Sequence, residues 1–197
     1  MRIGVLGGTF DPIHVGHIAA AEAAIGCARL DRVIFVPAAQ PPHRGPAVAP
    51  APQRLEMCRL AIEGDARFAV SDVELSRGGP SYTVDTLTEL RRLHPSDELF
   101  LILGWDAARL FRTWHRPVEV RAQASVVVVG RPGSGAPGQG DLSAAGLAGE
   151  GVIVCLEPTP EVSASEIRRA VKAGESIAGK VPAVVERYIN AHHLYAG

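Results

Sequence analysis

Two histidines, His14 and His17, lie three residues apart at the end of segment 7–17, which reads GGTFDPIHVGH. The apolar run Ile3 to Leu6 before the segment predicts a buried strand, and an alanine-rich helix is predicted to follow it. Glycines at such a junction let backbone N–H groups approach a phosphate near a helix N-terminus. An imidazole near a triphosphate can donate a hydrogen bond when neutral and contribute a charge when protonated. The segment therefore predicts a nucleotide-phosphate site.

Other roles remain open for the histidine pair. One of the two could cap the helix or pack in the core, which is the commoner role of a single histidine. The spacing also suits two metal ligands, but no third histidine, cysteine or carboxylate is obviously placed to complete a zinc site. The position of the pair, after Gly-Gly at a strand end, favours phosphate chemistry.

A second polar group opens a later helix in the sequence SASEIR, residues 163–168. Ser163, Ser165 and Arg168 offer two hydroxyls and a guanidinium to one crevice, and guanidinium binds phosphate strongly. An N-cap serine followed by a solvated arginine would explain the same residues. Taken together with the histidine segment, the group predicts the far wall of an ATP phosphate site.

A third candidate follows the fourth predicted strand in the sequence Gly104-Trp105-Asp106. Asp106 could bind ribose hydroxyls or magnesium, and a plain N-cap role is the alternative. Trp114, a little further on, could stack on a flat heterocycle or belong to the core.

A fourth candidate is the loop Gly79-Pro80-Ser81-Tyr82-Thr83, which delivers a helix N-terminus. The amides and the positive potential at such an end favour a carboxylate. Capping by Ser81 or Thr83 is the simpler explanation of the same residues.

Two similarities to other nucleotide-binding motifs fail on their spacing. Segment 174–180, GESIAGK, fits most of the P-loop pattern, but Val181 replaces the required hydroxyl and no strand precedes it. It is predicted to connect two helices. Gly4, Gly7 and Gly8 do not have the G-x-G-x-x-G spacing, so a hydride-transfer dehydrogenase has little support.

Length and composition predict the class of protein. The chain has 197 residues, of which 47% are hydrophobic, enough for one sizeable α/β domain over residues 1–197. Twenty basic and 21 acidic side chains give a net charge of −1, so small molecules are expected as partners rather than nucleic acid or a membrane. The N-terminal apolar stretch is too short for a signal peptide, and a cytoplasmic enzyme is expected. Cys27, Cys58 and Cys155 are far apart, which predicts neither a disulfide framework nor a thiolate zinc site but small core residues.

Strands and helices are predicted to alternate along the chain. The predicted strands cover residues 2–6, 32–37, 68–75, 99–103, 125–129 and 152–156. The predicted helices cover residues 17–28, 53–63, 82–93, 165–173 and 182–191, and the glycine-rich stretch 133–151 is expected to be a surface connection. The pattern predicts an α/β fold, a Rossmann-like doubly wound, mostly parallel sheet with flanking helices and a small C-terminal helical part.

These motifs resemble those of a known family. Segments 7–17 and 163–168 resemble the two signature motifs of the nucleotidyltransferases with a [HT]-x-G-H sequence. PPHR at 41–44, RGGPSYTVDTL at 77–87, GWDAARLFRTW at 104–114 and GRPG at 130–133 resemble bacterial nicotinate-nucleotide adenylyltransferases. The resemblance implies transfer of AMP from ATP to nicotinate mononucleotide, with magnesium held through the ATP phosphates and no covalent intermediate.

The resemblance also implies roles for individual residues. The catalytic residues would be His14, His17 and Arg168. ATP would contact Gly7, Gly8, Thr9, Phe10, His17, Gly104, Asp106, Arg131, Ser163, Ser165 and Arg168. Nicotinate mononucleotide would contact Gly8, His14, Arg44, Tyr82, Thr83 and Trp114.

Two positions depart from the family pattern. Arg44 stands where lysine is usual, which keeps the charge but replaces a point charge by a planar fork. Ala164 stands where serine is usual, which removes one hydroxyl. The alternatives are an enzyme for nicotinamide mononucleotide or another phosphorylated acceptor such as phosphopantetheine, and a catalytically silent nucleotide-binding module. A homo-oligomer is a further expectation.

Overall fold

Six parallel strands and the helices between them make up the protein, seen here in a computed structural model that describes residues 1–41, 45–130, 137–157 and 159–196. The strands are β1 (Arg2–Gly8), β2 (Arg32–Pro37), β3 (Phe68–Val70), β4 (Glu98–Gly104), β5 (Ser125–Val129) and β6 (Val152–Cys155). The α-helices are α1 (Val15–Ala28), α2 (Ala51–Ile62), α3 (Val73–Arg77), α4 (Thr83–Leu93), α5 (Trp105–Ala108), α6 (Pro117–Gln123), α7 (Gln139–Ala145), α8 (Ala164–Lys172) and α9 (Ala183–Ala191). A 3-10 helix covers Phe111–Thr113.

The strand order is β3-β2-β1-β4-β5-β6, and every neighbouring pair is parallel. The chain therefore winds outward from β1 in both directions, and the strand order reverses between β1 and β4. Open α/β sheets bind ligands at the carboxyl ends of their strands beside such a point. The predicted doubly wound, Rossmann-like α/β fold is confirmed, and α8 and α9 form its C-terminal helical part.

Alternate residues of the central strands enter two different hydrophobic layers. Ile3 and Val5 of β1 pack in the layer that contains α4, whereas Leu6 packs in the layer that contains α1, α8 and α9. Because helices cover both faces, each central strand is a continuous apolar run rather than an alternating one. This is why the strands could be recognised from the sequence.

The predicted end of the third strand was wrong. The third strand ends at Val70 instead of residue 75, and the residues after it form α3. The alternation of Asp72 and Glu74 with apolar residues suggested a strand, but Glu74 is buried on a helical turn. The described residues of the stretch 133–151 are mostly exposed, as predicted for a surface connection, but they include the helix α7, which was not predicted.

The cysteine prediction was also wrong. Cys27, near the end of α1, and Cys155, at the end of β6, form a disulfide with Cα atoms 5.8 Å apart. The two residues are 128 positions apart in sequence, and the packing of α1 on β6 brings them together. Cys58 fits the prediction because it is a buried free thiol, and burial raises its pKa.

Within the described residues, the structure has no helix long and apolar enough to span a membrane.

Candidate active site

The two histidines lie at the start of α1, directly after the loop that leaves β1. His14 is the N-cap residue and is buried, and its backbone N–H donates to Nδ1 of His17 at 3.2 Å. The two rings stack with their centroids 3.7 Å apart. Because Nδ1 of His17 accepts a hydrogen bond, neutral His17 carries its proton on Nε2 at the far side of the ring. The pair therefore presents an oriented imidazole N–H at the N-terminus of α1.

Glycines and a buried phenylalanine fix the positions of the two rings. Phe10 has a φ of 49° and meets His17 edge to face, with the ring centroids 4.9 Å apart. A Cβ on Gly16 would lie 3.1 Å from Nδ1 of His14, and a Cβ on Gly8 would lie 3.0 Å from the Phe10 ring. Larger residues at positions 8 and 16 would therefore displace the rings. The packing of the Phe10 and His14 rings therefore favours glycine at both positions.

The carboxylate of Asp11 holds the loop between β1 and α1. This residue is 4% exposed. Its Oδ2 accepts the N–H of Val48 at 2.7 Å, while its Oδ1 accepts the N–H of Ala49 at 3.0 Å and the hydroxyl of Tyr195 at 2.7 Å. Sequence analysis gave Asp11 no role of its own, because its partners come from two distant parts of the chain.

Arg54 of α2 lies beneath the same loop and is 2% exposed. Its Nη1 donates to the carbonyls of Thr9 at 2.7 Å and Ala38 at 2.8 Å, and its Nε donates to the carbonyl of Ala49 at 3.1 Å. Burial lowers the pKa of the guanidinium, and the negative charge of Asp11 opposes that effect. One side chain thus joins the histidine loop to the segments that follow β2 and precede α2.

Arg54 was missed by sequence analysis. It is spaced with Met57 and Cys58 as three residues of one buried helix face. An arginine at such a position is the signal that could have identified it.

The serines of segment 163–168 open α8. Ser163 Oγ accepts the N–H of Glu166 at 3.3 Å, and the Glu166 carboxylate accepts the N–H of Ser163 at 3.2 Å. This capping box confirms the capping role considered for Ser163. Its hydroxyl is also 3.3 Å from Oγ of Ser165. A hydroxyl has one proton and two lone pairs, so Ser163 can cap the helix and still donate to an anion.

Arg168 joins the two motifs. Its Nη1 donates to the backbone carbonyl of Asp11 at 2.7 Å and lies 3.9 Å from the carboxylate of that residue, with 30% of the side chain exposed. In addition, the carbonyl of Pro160 lies 3.3 Å from the position of a Cβ on Gly16. The structure therefore brings the start of α8 beside the histidine loop.

The carboxyl end of β4 contributes Gly104 and Asp106, next to β1 in the sheet. Gly104 is exposed, and a Cβ there would meet no atom within 4 Å among the described residues. The Asp106 side chain is 48% exposed, and its carboxylate lies 3.9 Å from Nε of Arg109. Gly104 is the N-cap of α5, so the capping role considered for Asp106 is wrong. Gly7 is likewise exposed, at the same edge of the sheet.

Aromatic residues form a separate cluster. Trp114 is partly buried and packs on Phe111 with the ring centroids 5.3 Å apart. The next residue, His115, is exposed and stacks on Tyr82 with the centroids 4.2 Å apart. This contact places Tyr82 against the residue that follows Trp114 in the chain. His115 was not predicted, although it directly follows the tryptophan.

The start of α4 lies beside this cluster. Thr83 is its first residue, and no side chain in the described part of the protein caps the helix, so capping by Ser81 or Thr83 is wrong. The Ser81 hydroxyl instead accepts the N–H groups of Ala39 at 2.9 Å and Gln40 at 3.1 Å. The first N–H groups of a helix have no partner within the helix. The N-terminus of α4 is therefore suited to binding an anion, and the hydrogen bonds to Ser81 connect it to the loop after β2.

A buried pair supports α4 from below. Thr86 donates its hydroxyl to Oε1 of Glu74 at 2.5 Å, and Nη2 of Arg77 lies 3.4 Å from the same hydroxyl. Neither Glu74 nor Thr86 had a predicted role, since their contact depends on the short helix α3 that was read as a strand.

Two predicted site residues, Arg44 and Arg131, lie outside the described residues. Within the described ranges, no group of three histidine, cysteine or acidic side chains is arranged to hold a metal ion.

Sequence relatives share one description. The cytidylyltransferase-like family profile matches residues 5–170. A probable nicotinate-nucleotide adenylyltransferase of Thermus thermophilus is 50% identical over 195 residues, covering 99% of this chain and 100% of the relative. A protein of the same description from Thermomicrobium roseum is 43% identical, covering 98% of this chain and 91% of the relative.

Solved structures share the fold. The nicotinic acid mononucleotide adenylyltransferase of Plasmodium falciparum, complexed with NaAD, has a TM-score of 0.81 at 17% identity and covers 98% of this chain and 97% of that chain. The crystal structure of a nicotinate-nucleotide adenylyltransferase described for Vibrio parahaemolyticus has a TM-score of 0.71 at 17% identity, covering 99% of this chain and 95% of that chain. At these identities the likeness concerns the fold.

Proposed function

The chain belongs to the nicotinate-nucleotide adenylyltransferases of the cytidylyltransferase-like family, and on this premise we propose that it transfers AMP from ATP to nicotinate mononucleotide in NAD biosynthesis. The products are deamido-NAD and pyrophosphate. The observation that carries the proposal is the hydrogen bond from Arg168 to the Asp11 carbonyl at 2.7 Å, which places the α8 motif beside the histidine motif.

The site divides into two parts. The phosphate half consists of residues 7–17 and 163–168, where the two motifs meet. The acceptor half consists of residues 81–86 and 111–115, where the start of α4 meets the aromatic cluster. ATP would lie in the phosphate half and at the Gly104 end of β4, and the pyridine ring would lie in the acceptor half.

The reaction requires no nucleophile from the protein. A phosphate oxygen of the mononucleotide attacks the α-phosphorus of ATP in line. A new bond forms between that oxygen and the α-phosphorus, and the bond from the α-phosphorus to the leaving pyrophosphate oxygen breaks. The attacking phosphate is already ionised at neutral pH, so no strong base is needed. Catalysis then depends on positioning and on neutralising charge in the transition state.

The phosphate half has the groups for this task. Nε2 of His17 would donate to the reacting phosphate, with His14 beside it. Arg168 and the hydroxyls of Ser163 and Ser165 would hold the departing phosphates through charge-assisted hydrogen bonds. The hydroxyl that Ala164 lacks would be compensated by Arg168 and by backbone N–H groups at the start of α8.

Magnesium would be held by the ATP phosphates and water, with Asp106 offering an exposed carboxylate oxygen of the kind that this ion prefers. When bound, the ion neutralises charge on the triphosphate.

The acceptor half provides a basis for selecting the acid over the amide. The nicotinate carboxylate is an anion, and the start of α4 at Thr83 combines N–H donors with the positive end of the helix dipole. Trp114 would stack on the pyridine ring. Neutral nicotinamide would gain less from the helix end. We also retain from the sequence the expectations of a cytoplasmic location and of a homo-oligomer.

The test is pyrophosphate release with magnesium and ATP, measured with either nicotinate or nicotinamide mononucleotide. We expect pyrophosphate release when ATP and nicotinate mononucleotide are both present. The kcat/KM should be at least about tenfold higher for nicotinate than for nicotinamide mononucleotide, since hydrogen bonds to a charged group contribute about 1.5–3 kcal/mol. A preference for the amide would contradict the acceptor assignment. No release with either acceptor would favour a silent nucleotide-binding module.

A further inference from the structure

We propose that Tyr195, at the C-terminal end of the described chain, is a positioning residue for the phosphate half and acts through Asp11. The expected changes in kcat and KM rest on the proposed function, whereas the expected change in ATP affinity requires only that the protein binds ATP. Tyr195 lies 184 positions from Asp11 in sequence, yet its hydroxyl donates to Oδ1 of that residue at 2.7 Å.

Asp11 connects Tyr195 to the phosphate half. Its carboxylate accepts three hydrogen bonds, from Tyr195, Val48 and Ala49, while its backbone carbonyl accepts the bond from Arg168. It also lies three residues before His14. A shift of this one residue would therefore displace both the histidine loop and the guanidinium of Arg168.

The backbone at the C-terminus is shaped to deliver the tyrosine. After α9 ends at Ala191, the chain turns, and the N–H of Leu194 donates to the carbonyl of Ile189 at 3.0 Å. Tyr195 then adopts a φ of 65°, which is unfavourable for a residue with a large side chain. Such conformations persist where the surroundings determine them, often at functional sites. Here the buried Leu194 and the bond to Asp11 supply that constraint.

The hydroxyl of Tyr195 remains a donor under ordinary assay conditions. Burial is the largest cause of a raised pKa, and the hydrogen bond and charge of Asp11 raise it further. The ring also packs against the core cluster around α9, so a change to phenylalanine removes the hydroxyl and keeps that packing.

The experiment compares Tyr195→Phe with the wild-type protein. Without the hydroxyl, Oδ1 of Asp11 keeps the bond from Ala49, so the loop should loosen without unfolding. We expect kcat to fall about tenfold and the Kd of magnesium-ATP, measured by calorimetry, to rise about fivefold. The KM for nicotinate mononucleotide should change less, within about twofold, because Tyr82, Thr83 and Trp114, which would hold its pyridine ring, donate none of the hydrogen bonds that the Asp11 carboxylate accepts.

Tyr188→Phe is the matched control. Tyr188 lies on α9 and stacks on His192, so it tests the same chemical change at the same end of the chain away from Asp11. We expect wild-type kcat and ATP affinity for this variant.

The outcomes separate the inference from the proposed function. A Tyr195→Phe protein with a lower Tm but unchanged kcat and ATP affinity would show a structural role alone and overturn the inference. If the wild-type protein transfers no AMP, the proposed function fails, and the ATP affinities of the two variants still decide the role of Tyr195. Equal affinities in that case would also overturn it.

Discussion

Buried charged side chains hold the loops of the phosphate half, whereas the rings of Tyr82, Trp114 and His115 in the acceptor half are partly or largely exposed. Asp11 and Arg54 are 4% and 2% exposed, and their hydrogen bonds reach the backbone of the loops around the histidines. Tyr82 and His115 instead stack on each other near the surface. Buried hydrogen bonds fix geometry because leaving them unmade is costly, whereas exposed rings can adjust.

This contrast matches the two tasks of the proposed reaction. The phosphate half must hold donors where charge develops in the transition state, and small displacements there lower kcat. The acceptor half must admit and release a substrate, and its contacts should mainly affect KM. The three substitutions below test this division in order of expected effect.

Arg54→Met should have the largest effect, on stability. It removes the donor for the carbonyls of Thr9, Ala38 and Ala49 and leaves Asp11 without its buried cation. We expect the free energy of unfolding to fall by about 3–5 kcal/mol, measured by urea denaturation. Arg59→Met on the same helix is the control, because Arg59 is exposed and pairs with Glu56 at 3.6 Å, so its loss should cost less than about 1 kcal/mol. Equal losses for the two variants would remove the basis of the comparison.

His17→Ala should lower kcat by about 10²–10³-fold, because removing one preorganised donor to a transition-state anion has effects of this size. Steady-state pyrophosphate release measures it, and thermal unfolding checks that the fold is intact. His94→Ala, at the end of α4, should retain wild-type turnover. Near-normal turnover of His17→Ala would exclude His17 from the chemistry.

Trp114→Leu should raise the KM for nicotinate mononucleotide about tenfold and change kcat less than about threefold, since stacking on an aromatic ring contributes about 1–3 kcal/mol. Trp114→Phe keeps an aromatic face and should show a smaller rise. The prediction is checked by varying the acceptor at saturating ATP. A loss confined to kcat would show that the acceptor half is not a separate binding region.

The sheet and the two segments that meet at Asp11 and Arg168 were predictable because their motifs are local. Continuous apolar runs predicted the strands, and the glycine, histidine and serine residues that follow them predicted the two segments. The family that the motifs indicated is confirmed by relatives 43–50% identical. The helices α5 and α6 were missed because they are short and are stabilised by burial of Ala108 and Val120 in the hydrophobic core rather than by their own periodicity.

The supporting network was not predictable for a different reason. Arg54 donates to backbone carbonyls, and any residue type has a carbonyl, so the sequence carries no mark of its partners. The bond from Tyr195 to Asp11 and the disulfide of Cys27 with Cys155 join positions more than a hundred residues apart. Such contacts can be identified only from the three-dimensional structure.

Direct transfer of AMP between the two substrates is the central claim, and the stereochemistry at the α-phosphorus tests it most directly. ATP carrying a chiral α-phosphorothioate would be incubated with nicotinate mononucleotide and magnesium, and the configuration of the dinucleotide product would be determined by NMR. A single in-line attack predicts inversion of configuration. Retention would require two displacements through a covalent adenylyl-protein and would contradict the account.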